Sequence, residues 1–525
     1  MRRPLIRDAM TLAFASMGLV CLLTFGLGVR AVRGAAPEGA GAGERGKIVY
    51  THVMHQMCVG VEKNGTEGHL SEEPTRTNGT LASHLPEFVA NYAGPLEDAR
   101  QDVAFIKGAG VNTIGLLIGN KHLPKSHFAP MIHAYYRVAA EDGQIKIAPD
   151  IWGELDKPDQ LAMELGLLWE QYPGVWARRN GKLIMTVWLD YGNKPLPAYQ
   201  DTVDRLCAKI GGRQNVFLVC YSPAELEAHN PQWFAGADAF TDWLNASYAE
   251  AHDRLNAALA AAKSAGKELW LPAMPSFTQS RPYPGVTPNV REMLGMIWYR
   301  EAWLRAIREN SPAVCLQTWN DLSEDSAVMP ESNHGYAFYE LTKYYTAWFR
   351  SGSPPPIAEE QILLFHHPQV VEGLQLPAGR KPMEGFPVAL GKSFAHATVV
   401  RTPPTDYVGV VALLKSPAKA QLLLNETVLA EQELPPGCNA WLVYQPRNQN
   451  DPRKLYPYDP ERAYPRAEPG LTMTILAKPF WDAELHVSVE RDGQRIGFFR
   501  SHRPIAAAAG RGDMTTVGDA FRLEK

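Results

Sequence analysis

The run KLIMTVWLD, residues 182–190, decides the fold class of this chain. It is almost continuously apolar over Leu183 to Leu189 and stops at Asp190. A strand that is covered on both faces has this pattern, which is typical of parallel sheets flanked by helices. Seven further runs of similar character follow or precede it: IVYTHVM (48–54), VNTIGLLI (111–118), IKIAPDI (145–151), NVFLVCY (215–221), ADAFTDW (237–243), ELWLPAMPS (268–276) and AVCLQTW (313–319).

Helix-like segments separate these runs. PLEDARQDVAFIKGAG (95–110) opens with acidic residues and ends at Gly108 and Gly110, which is a helix stop, and YAEAHDRLNAALAAAKSAGK (248–267) ends similarly at Gly266. Eight strands that alternate with helices indicate a (β/α)8 barrel over residues 47–352. A doubly wound open sheet is the alternative, but no Gly-rich phosphate loop follows any strand.

The pattern changes after FRSGSPPPI (349–357), where a Ser-Gly-Pro cluster indicates a linker over 353–361. Alternating strand-like runs follow, from HATVV (396–400) to AELHVSVERDGQRIGFF (483–499), and Asp492-Gly493 is a strong hairpin signal. We predict an all-β, sandwich-like domain over 362–505, with a long loop over 448–470 and a frayed tail over 506–525.

The N-terminus predicts a location outside the cytoplasm. Arg2, Arg3 and Arg7 precede an uncharged run from Ala9 to Val29, and a Gly/Ala-rich stretch follows. This is the order of a secretory signal peptide, and the run is also long enough for a membrane anchor. We therefore interpret residues 1–46 as a signal peptide or membrane anchor plus linker, with residues 9–29 as the membrane tether in the second case.

Composition excludes several classes of function. The 525 residues are 45% hydrophobic and 21% charged with a net charge of −4, which suits a globular protein and gives no basic surface for nucleic acid. No CxxC or HExxH motif occurs, so neither a zinc site nor a redox motif is supported, and we expect no metal site. His52 and His55 are interpreted as structural or solvated residues.

Acidic residues and tryptophans recur where the predicted strands end. Chemistry in such barrels lies at the carboxyl ends of the strands. One acid there is most simply an N-cap of the next helix, but the pairing repeats on four strands, which favours a site. The residues are Asp150 and Trp152, Trp188 and Asp190, Asp242 and Trp243, and finally Trp319, Asn320, Asp321 and Glu324.

Paired carboxylates beside aromatic rings are what cleavage of a glycosidic bond requires. One acid donates a proton to the leaving oxygen, while an ionised partner activates water or attacks carbon. Two neighbouring carboxylates separate these roles because their repulsion raises one pKa and leaves the other low. Tryptophan faces pack on the apolar faces of sugar rings. The pattern therefore favours a glycoside hydrolase over other barrel functions.

QTWNDLSEDSAV (317–328), followed by HGYAFYELTKYYTAWFRSGSPP (334–355), resembles the signature of glycoside hydrolase family 71, the α-1,3-glucanases or mutanases. Further segments match in order: THVMHQM, IKIAPDIWG, LIMTVWLDYG, GADAFTDWLNASY, LWLPAMPSFTQ and WYREAWLRAIRENSPAVCLQTWND. The run VVALLKSPAKAQLLLNETV is similar to the family's accessory β-domain. The resemblance spans about residues 48–443.

The resemblance implies hydrolysis of α-1,3-glucosidic bonds in an α-glucan, with inversion and without a cofactor. It assigns Asp321 and Glu324 as the catalytic pair, with Asp321 as base and Glu324 as acid or the reverse. Substrate-binding residues would be Asp150, Asp190, Asp242, Asn320 and the tryptophans Trp152, Trp188, Trp243 and Trp319.

This chain also departs from the family's Asp-aromatic-Gly-Glu-Ser-His pattern, because it has Asp321-Leu322-Ser323-Glu324-Asp325-Ser326. Asp325 adds a charge beside Glu324. Facing the site, it would raise the pKa of Glu324; facing solvent, it would have little effect.

Two alternatives stay open. One is a glycosidase of different specificity on the same barrel, acting on α-mannosides or another α-glucan. The other is a non-catalytic carbohydrate-binding envelope protein. The β-domain is expected to brace the barrel.

Overall fold

A computed structural model of the chain describes residues 46–54, 95–118, 129–152, 158–188, 196–221, 235–243, 248–279, 289–291, 294–321, 325–331, 333–370, 399–400, 406–445, 470–476, 480–506 and 516–523. All of these residues belong to one compact unit. Residues 1–45 of the predicted N-terminal segment (1–46) and residues 448–469 of the predicted loop (448–470) lie outside these ranges. No helix in the described ranges is long and apolar enough to cross a membrane.

The first part of the chain forms the predicted (β/α)8 barrel. Its parallel strands pair in chain order, and the cylinder closes because the two halves of strand seven pair with strands six and eight respectively. The strands are β1 Ile48–Val53, β2 Thr113–Ile118, β3 Lys146–Trp152, β4 Lys182–Trp188, β5 Val216–Tyr221, β6 Ala239–Thr241, β7 Glu268–Leu269 with Leu271–Ala273, and β8 Ala313–Leu316.

Helices surround the cylinder. They are α1 Pro95–Gly108, α2 Ala129–Asp142, α3 Pro158–Gln171, α4 Leu196–Lys209, α5 Tyr248–Ser264, α6 Met296–Arg308 and α7 Ala337–Ser351. In α1, Glu97 and Asp98 lie in the first turn and Lys107 in the last, an arrangement that complements the helix dipole.

Strand residues alternate between the interior of the barrel and the helix layer. In β1, Tyr50 belongs to an interior cluster with Phe217 and Trp270, whereas Val49 and Val53 belong to the large cluster that includes the helices. This period of two explains the near-continuous apolar runs, because both faces of each strand are buried.

The C-terminal part is a sandwich of two sheets. The five-stranded sheet has the order β14-β13-β10-β9-β17 and the four-stranded sheet has the order β12-β11-β15-β16. The strands are β9 Gln361–His366, β10 Tyr407–Leu414, β11 Ala418–Leu424, β12 Thr427–Leu434, β13 Gly437–Tyr444, β14 Leu471–Ile475, β15 Leu485–Arg491, β16 Gln494–Arg500 and β17 Val517–Arg522.

The predicted hairpin turn joins β15 to β16. Asp492 and Gly493 both have positive φ, at 51° and 74°. A two-residue turn with this backbone matches the twist of an antiparallel hairpin and requires residues that tolerate positive φ.

The five-stranded sheet is covered on both faces. In β9, Ile362 and Leu364 pack into the sandwich core, while Leu363 and Phe365 pack into the cluster that extends over the barrel helices. Phe365 contacts Phe338 of α7, with ring centroids 5.0 Å apart. The sandwich therefore packs directly on the barrel.

Two segments differ from the prediction. Val399–Val400, expected in the sandwich, pairs with Asn289–Arg291, which in turn pairs with Phe277–Gln279 beyond β7. The expected tail contains β17, which pairs with β9 along its whole length. Val517 is completely buried, so this short segment gains enough packing to be ordered although its sequence has little strand character.

Candidate active site

Interior positions at the carboxyl ends of the strands become polar and aromatic. Strand β3 continues from Ala148 inside the barrel to Asp150 and Trp152, and β4 continues from Ile184 to Thr186 and Trp188. A period of two places such residues on one face. The top of the barrel interior is therefore lined by His52, Asp150, Trp152, Thr186, Trp188, Tyr221 and Trp243.

A buried histidine–carboxylate pair lies at the centre of this layer. The Nδ1 atom of His52 is hydrogen-bonded to the Oδ2 atom of Asp150. The Nε2 atom of His52 lies 3.3 Å from the sulfur of Met54, and the Tyr221 hydroxyl donates to Asp150 Oδ2 at 3.4 Å. Both members of the pair are almost completely buried, at 3% and 1% exposed.

The surroundings of Asp150 favour its ionised form. Burial alone raises the pKa of a carboxyl, but the charge and hydrogen bond of His52, together with Thr186 and Tyr50, lower the pKa of Asp150 below its ordinary value. Asp150 thus provides a fixed negative charge beneath the aromatic residues.

Three tryptophans form a continuous row, which we name the aromatic row: Trp152, Trp188 and Trp243. Ring centroids are 5.5 Å apart for Trp152 and Trp188 and 4.9 Å apart for Trp188 and Trp243. Exposure falls along the row, from 38% at Trp152 through a half-buried Trp188 to 5% at Trp243. Trp243 contacts the His52 ring edge to face at 5.1 Å. The row therefore runs from the surface to the buried pair.

Asp242 does not join this group. Asp242 and Phe240, two residues before it, lie on the outer face of the strand, whereas Trp243 lies at the interior. Arg254 of α5 donates to both carboxylate oxygens of Asp242, at 3.2 and 2.7 Å. The expected role of Asp242 as a substrate-binding acid is not supported, because its carboxylate is bound to a helix residue.

Trp319 is also turned away from the aromatic row. It has no exposed surface; its indole N–H donates to Asp102 of α1 at 3.2 Å, and its ring packs against Tyr339 of α7. Tyr135 of α2 donates to the other oxygen of Asp102. Trp319 is therefore wrong as a sugar platform, because its faces are covered by the helix layer.

Asn320 connects β8 to β1. Its Oδ1 atom accepts from the backbone N–H of Met54 at 2.8 Å, and its Nδ2 atom donates to the carbonyl of Met54 at 3.1 Å. The amide thus joins the ends of the first and last strands, and both of its polar groups are used within the protein.

Asp321 lies in the loop after β8 and is 2% exposed. Its backbone N–H donates to the Thr318 hydroxyl at 2.7 Å, and its carbonyl accepts from the N–H of Ser326 at 3.2 Å. Glu324, its expected catalytic partner, and Asp190 lie outside the described residues. The separation of the expected catalytic carboxyls therefore stays a prediction.

Asp325 faces neither the aromatic row nor solvent. It is 4% exposed and accepts hydrogen bonds from the Ser276 hydroxyl at 2.7 Å and the Thr516 backbone N–H at 2.9 Å. Its other oxygen lies 3.3 Å from Nε2 of His334. Asp325 therefore takes neither of the two orientations considered from the sequence, because its carboxylate is bound within a buried network.

Sequence reasoning missed His52 and Tyr221 as members of the site. The signal was present, since both occupy the last interior positions of β1 and β5, but a single histidine in an apolar run is not distinctive. A separate cavity of about 440 Å³ opens at the opposite end of the barrel, lined by Lys47, Lys146, Arg178 and Arg350 among others. It lies at the amino ends of the strands, away from the aromatic row at their carboxyl ends.

No group of three or more His, Cys, Asp or Glu side chains in the described ranges is arranged so that it could hold a metal ion. No family model and no curated protein matches this chain. Similar solved structures exist. One is the GH99 endo-α-mannosidase from Bacteroides thetaiotaomicron, at 16% identity and a TM-score of 0.40 over 51% of this chain and 84% of that chain.

A second structure of that enzyme, in complex with bis-tris-propane, gives 14% identity and a TM-score of 0.43 over 58% of this chain and 97% of that chain. A GH113 β-1,4-mannanase gives 11% identity and a TM-score of 0.32 over 50% and 95%. Because all identities are under 25% and all TM-scores under 0.5, these similarities support no statement about activity.

Proposed function

We propose that the protein is a glycoside hydrolase whose substrate binds along the aromatic row at the carboxyl ends of the barrel strands. The observation that carries this proposal is the row itself. Trp152, Trp188 and Trp243 lead from the exposed rim to the buried His52–Asp150 pair with ring separations of 4.9–5.5 Å. The position is also the one where barrels of this kind place their chemistry.

The row suits a sugar chain better than a flat aromatic ligand or a charged one. Carbohydrates present C–H faces and hydroxyl edges, so they need apolar ring surfaces combined with a few polar groups. Tyr221 and the His52–Asp150 pair supply hydroxyl, imidazole and carboxylate groups next to Trp243 and Trp188. An ionised Asp150 would also stabilise the positive charge that develops on the sugar ring in the transition state.

The finer assignment is hydrolysis of α-1,3-glucosidic bonds in an α-glucan, as glucan endo-1,3-α-glucosidases perform it, with inversion at the anomeric carbon. It rests on the motif resemblance to family 71, and membership of this chain in that family is part of the proposal. Asp321 and Glu324 would divide the base and acid roles. Inversion requires a separation of about 6.5–9.5 Å between their carboxyls, so that water fits between sugar and base. An α-mannoside or another α-glucan is the alternative substrate.

A non-catalytic carbohydrate-binding role is the second candidate, and the burial of Asp321 favours it. A base that activates water needs access to that water, whereas only 2% of Asp321 is exposed. Under this alternative, Asp321 would brace the loop and the aromatic row alone would recognise the glycan.

A panel of polysaccharides separates these functions. Wild-type protein is incubated with α-1,3-glucan, α-1,4-glucan, α-mannan and β-mannan, and new reducing ends are quantified. We expect release from α-1,3-glucan only, and its loss in both Glu324→Gln and Asp321→Asn. Retention of glycan binding by wild type without release from any substrate would favour the binding role. Unchanged release by Glu324→Gln would overturn its assignment as acid.

The proposed location is outside the cytoplasm: secreted, periplasmic, or tethered to the membrane through residues 9–29. The basic residues before this apolar run support it. Fractionation of cells that express the full chain tests the location, and a cytosolic product that retains its N-terminus would contradict it.

A further inference from the structure

The C-terminal strand of the sandwich contacts the loop that carries the expected catalytic acids. We name residues 317–336, between β8 and α7, the β8–α7 loop. Thr516, the residue before β17, donates its backbone N–H to Asp325 at 2.9 Å, and the N–H of Gly518 donates to the carbonyl of Asn333 at 2.7 Å. These bonds join positions almost 200 residues apart in the chain.

The contact is tightly packed as well as hydrogen-bonded. A Cβ atom placed on Gly518 would lie 2.9 Å from the carbonyl oxygen of His334, and one on Gly335 would lie 3.1 Å from the carbonyl oxygen of Gly518. The two backbones therefore approach so closely that side chains are excluded at the crossing. Arg503, from the same sandwich, adds a bond to the side-chain oxygen of Asn333 at 3.2 Å.

Charged groups beneath this crossing fix the loop internally. Nδ1 of His334 lies 3.0 Å from Glu331 and its Nε2 lies 3.3 Å from Asp325, and all three side chains are at most 4% exposed. The backbone N–H groups of Asn333 and His334 also donate to the Glu331 carboxylate, at 2.7 and 2.6 Å. Asp325 thus bonds to the loop through His334, to the sandwich through Thr516, and to Ser276 beyond β7.

We infer that Asp325 is a positioning residue through which the sandwich's C-terminal strand holds the β8–α7 loop in the arrangement that catalysis needs. The inference rests on the proposed hydrolase function. Asp325 is bonded away from the aromatic row and adjoins Glu324 in sequence, so it acts by fixing the backbone on which the expected acid is carried. Of the three Asp325 contacts described above, only the bond to Ser276 comes from the barrel side, whereas Thr516 belongs to the sandwich and His334 to the loop itself.

Two variants and one control test this inference. Asp325→Ala removes every contact, and Asp325→Asn keeps an acceptor for Ser276 and Thr516 but loses the charge opposite His334. Arg522→Ala is the control on the same strand, because the Arg522 side chain forms an exposed ion pair with Glu359, in which both side chains are more than half exposed. Two quantities are measured well below the melting temperature: the rate of sugar release and the rate of amide hydrogen exchange in peptides of the β8–α7 loop.

Misplacing a catalytic group by about 1 Å costs about 100-fold in rate. We therefore expect Asp325→Ala to lower kcat about 10- to 100-fold with little change in KM, and to speed amide exchange in peptides from the β8–α7 loop but not from α1. Asp325→Asn should recover part of kcat, and Arg522→Ala should match wild type. A uniform loss of stability would instead speed exchange throughout the barrel.

Two results overturn the inference: unchanged exchange in the loop of Asp325→Ala, or faster exchange there with wild-type kcat. If wild-type protein cleaves no glycan, the proposed function fails by itself. The exchange measurement then still decides whether Asp325 joins the loop to the sandwich. Should Asp325→Ala not fold, Asp325→Asn carries both measurements.

Discussion

His52 and Asp150 are hydrogen-bonded inside the barrel although strand β2 lies between their strands. The register places Gly115 of β2 beside His52 on one side and beside Ala148 on the other. Gly115 has no side chain, and the phenol of Tyr50 occupies the space in front of it. Because Gly115 has no side chain, side chains of β1 can extend across β2 towards the polar layer that contains His52 and Asp150.

Gly115→Ala tests this packing. A Cβ atom at this position would lie 1.7 Å from the hydroxyl oxygen of Tyr50, and the phenol is completely buried. Overpacking of this kind costs about 1–3 kcal/mol, so we expect the free energy of unfolding in urea to fall by that amount. Gly174→Ala is the matched control, because Gly174 has no atom within 4 Å of an added Cβ and should change stability by less than about 0.5 kcal/mol. Equal stability of both variants would refute the account of β2.

Removal of the outer tryptophan should weaken substrate binding without affecting the fold. Trp152 is 38% exposed and contacts Trp188. An aromatic contact of this kind contributes about 0.5–1.5 kcal/mol, so Trp152→Ala should raise KM about two- to tenfold while the melting temperature stays constant. Phe498→Ala, an exposed aromatic residue of the sandwich at 48% exposure, is the control and should leave KM unchanged. An unaltered KM in Trp152→Ala would remove Trp152 from the binding surface.

Trp319→Phe should show the opposite pattern to Trp152→Ala. The variant leaves the buried carboxylate of Asp102 without one hydrogen-bond donor. Burial raises the pKa of Asp102, and the hydrogen bonds from Tyr135 and Trp319 oppose this rise. Loss of a partner to such a group costs about 1–3 kcal/mol. We expect lower stability with an unchanged KM.

The matched control is Trp441→Phe in the sandwich, which loses a bond to a neutral acceptor, Thr474, and should cost about 0.5–1.5 kcal/mol. A large rise in KM with normal stability in Trp319→Phe would return Trp319 to the site.

The buried His334 makes stability depend on pH. Burial by itself lowers the pKa of this imidazole, but the Glu331 and Asp325 carboxylates raise it to about 10. A group whose pKa is raised in the folded state stabilises the fold fully below its unfolded pKa of about 6.5, and this contribution is lost as pH rises towards 10.

The stability difference between wild type and His334→Gln should therefore be largest at pH 6 and shrink by pH 10, as measured by urea unfolding. Comparing the two proteins at each pH cancels the other titrating groups. A difference that grows with pH would contradict the charged state of His334.

The barrel could be predicted from sequence because every strand is buried on both faces, so each run is apolar and stands out. The top-layer positions of Asp150, Trp152 and Trp188 were also predictable, since these residues lie at the carboxyl ends of those runs. Asp242 and Trp319 were not, because a shift of one position turns a side chain from the interior to the helix layer, and the sequence does not show where each strand ends.

Long-range partners explain the remaining errors. Asp325 is adjacent to an expected catalytic acid, yet its hydrogen-bond and ion-pair partners are Ser276, Thr516 and His334. A local sequence pattern cannot predict the hydrogen bond to Thr516, which lies 191 positions away. The strand character of β17 was likewise hidden, because its order depends on pairing with β9 rather than on its own composition.

The most direct test of the central claim follows the reaction on α-1,3-glucan by proton NMR with wild type, Glu324→Gln and Trp152→Ala in parallel. We expect wild type to release a sugar whose first observable anomer is β, Glu324→Gln to release none, and Trp152→Ala to release the same anomer more slowly at low substrate concentration. Absence of any new anomeric signal with wild-type protein, or a rate in Glu324→Gln equal to that of wild type, would contradict the account.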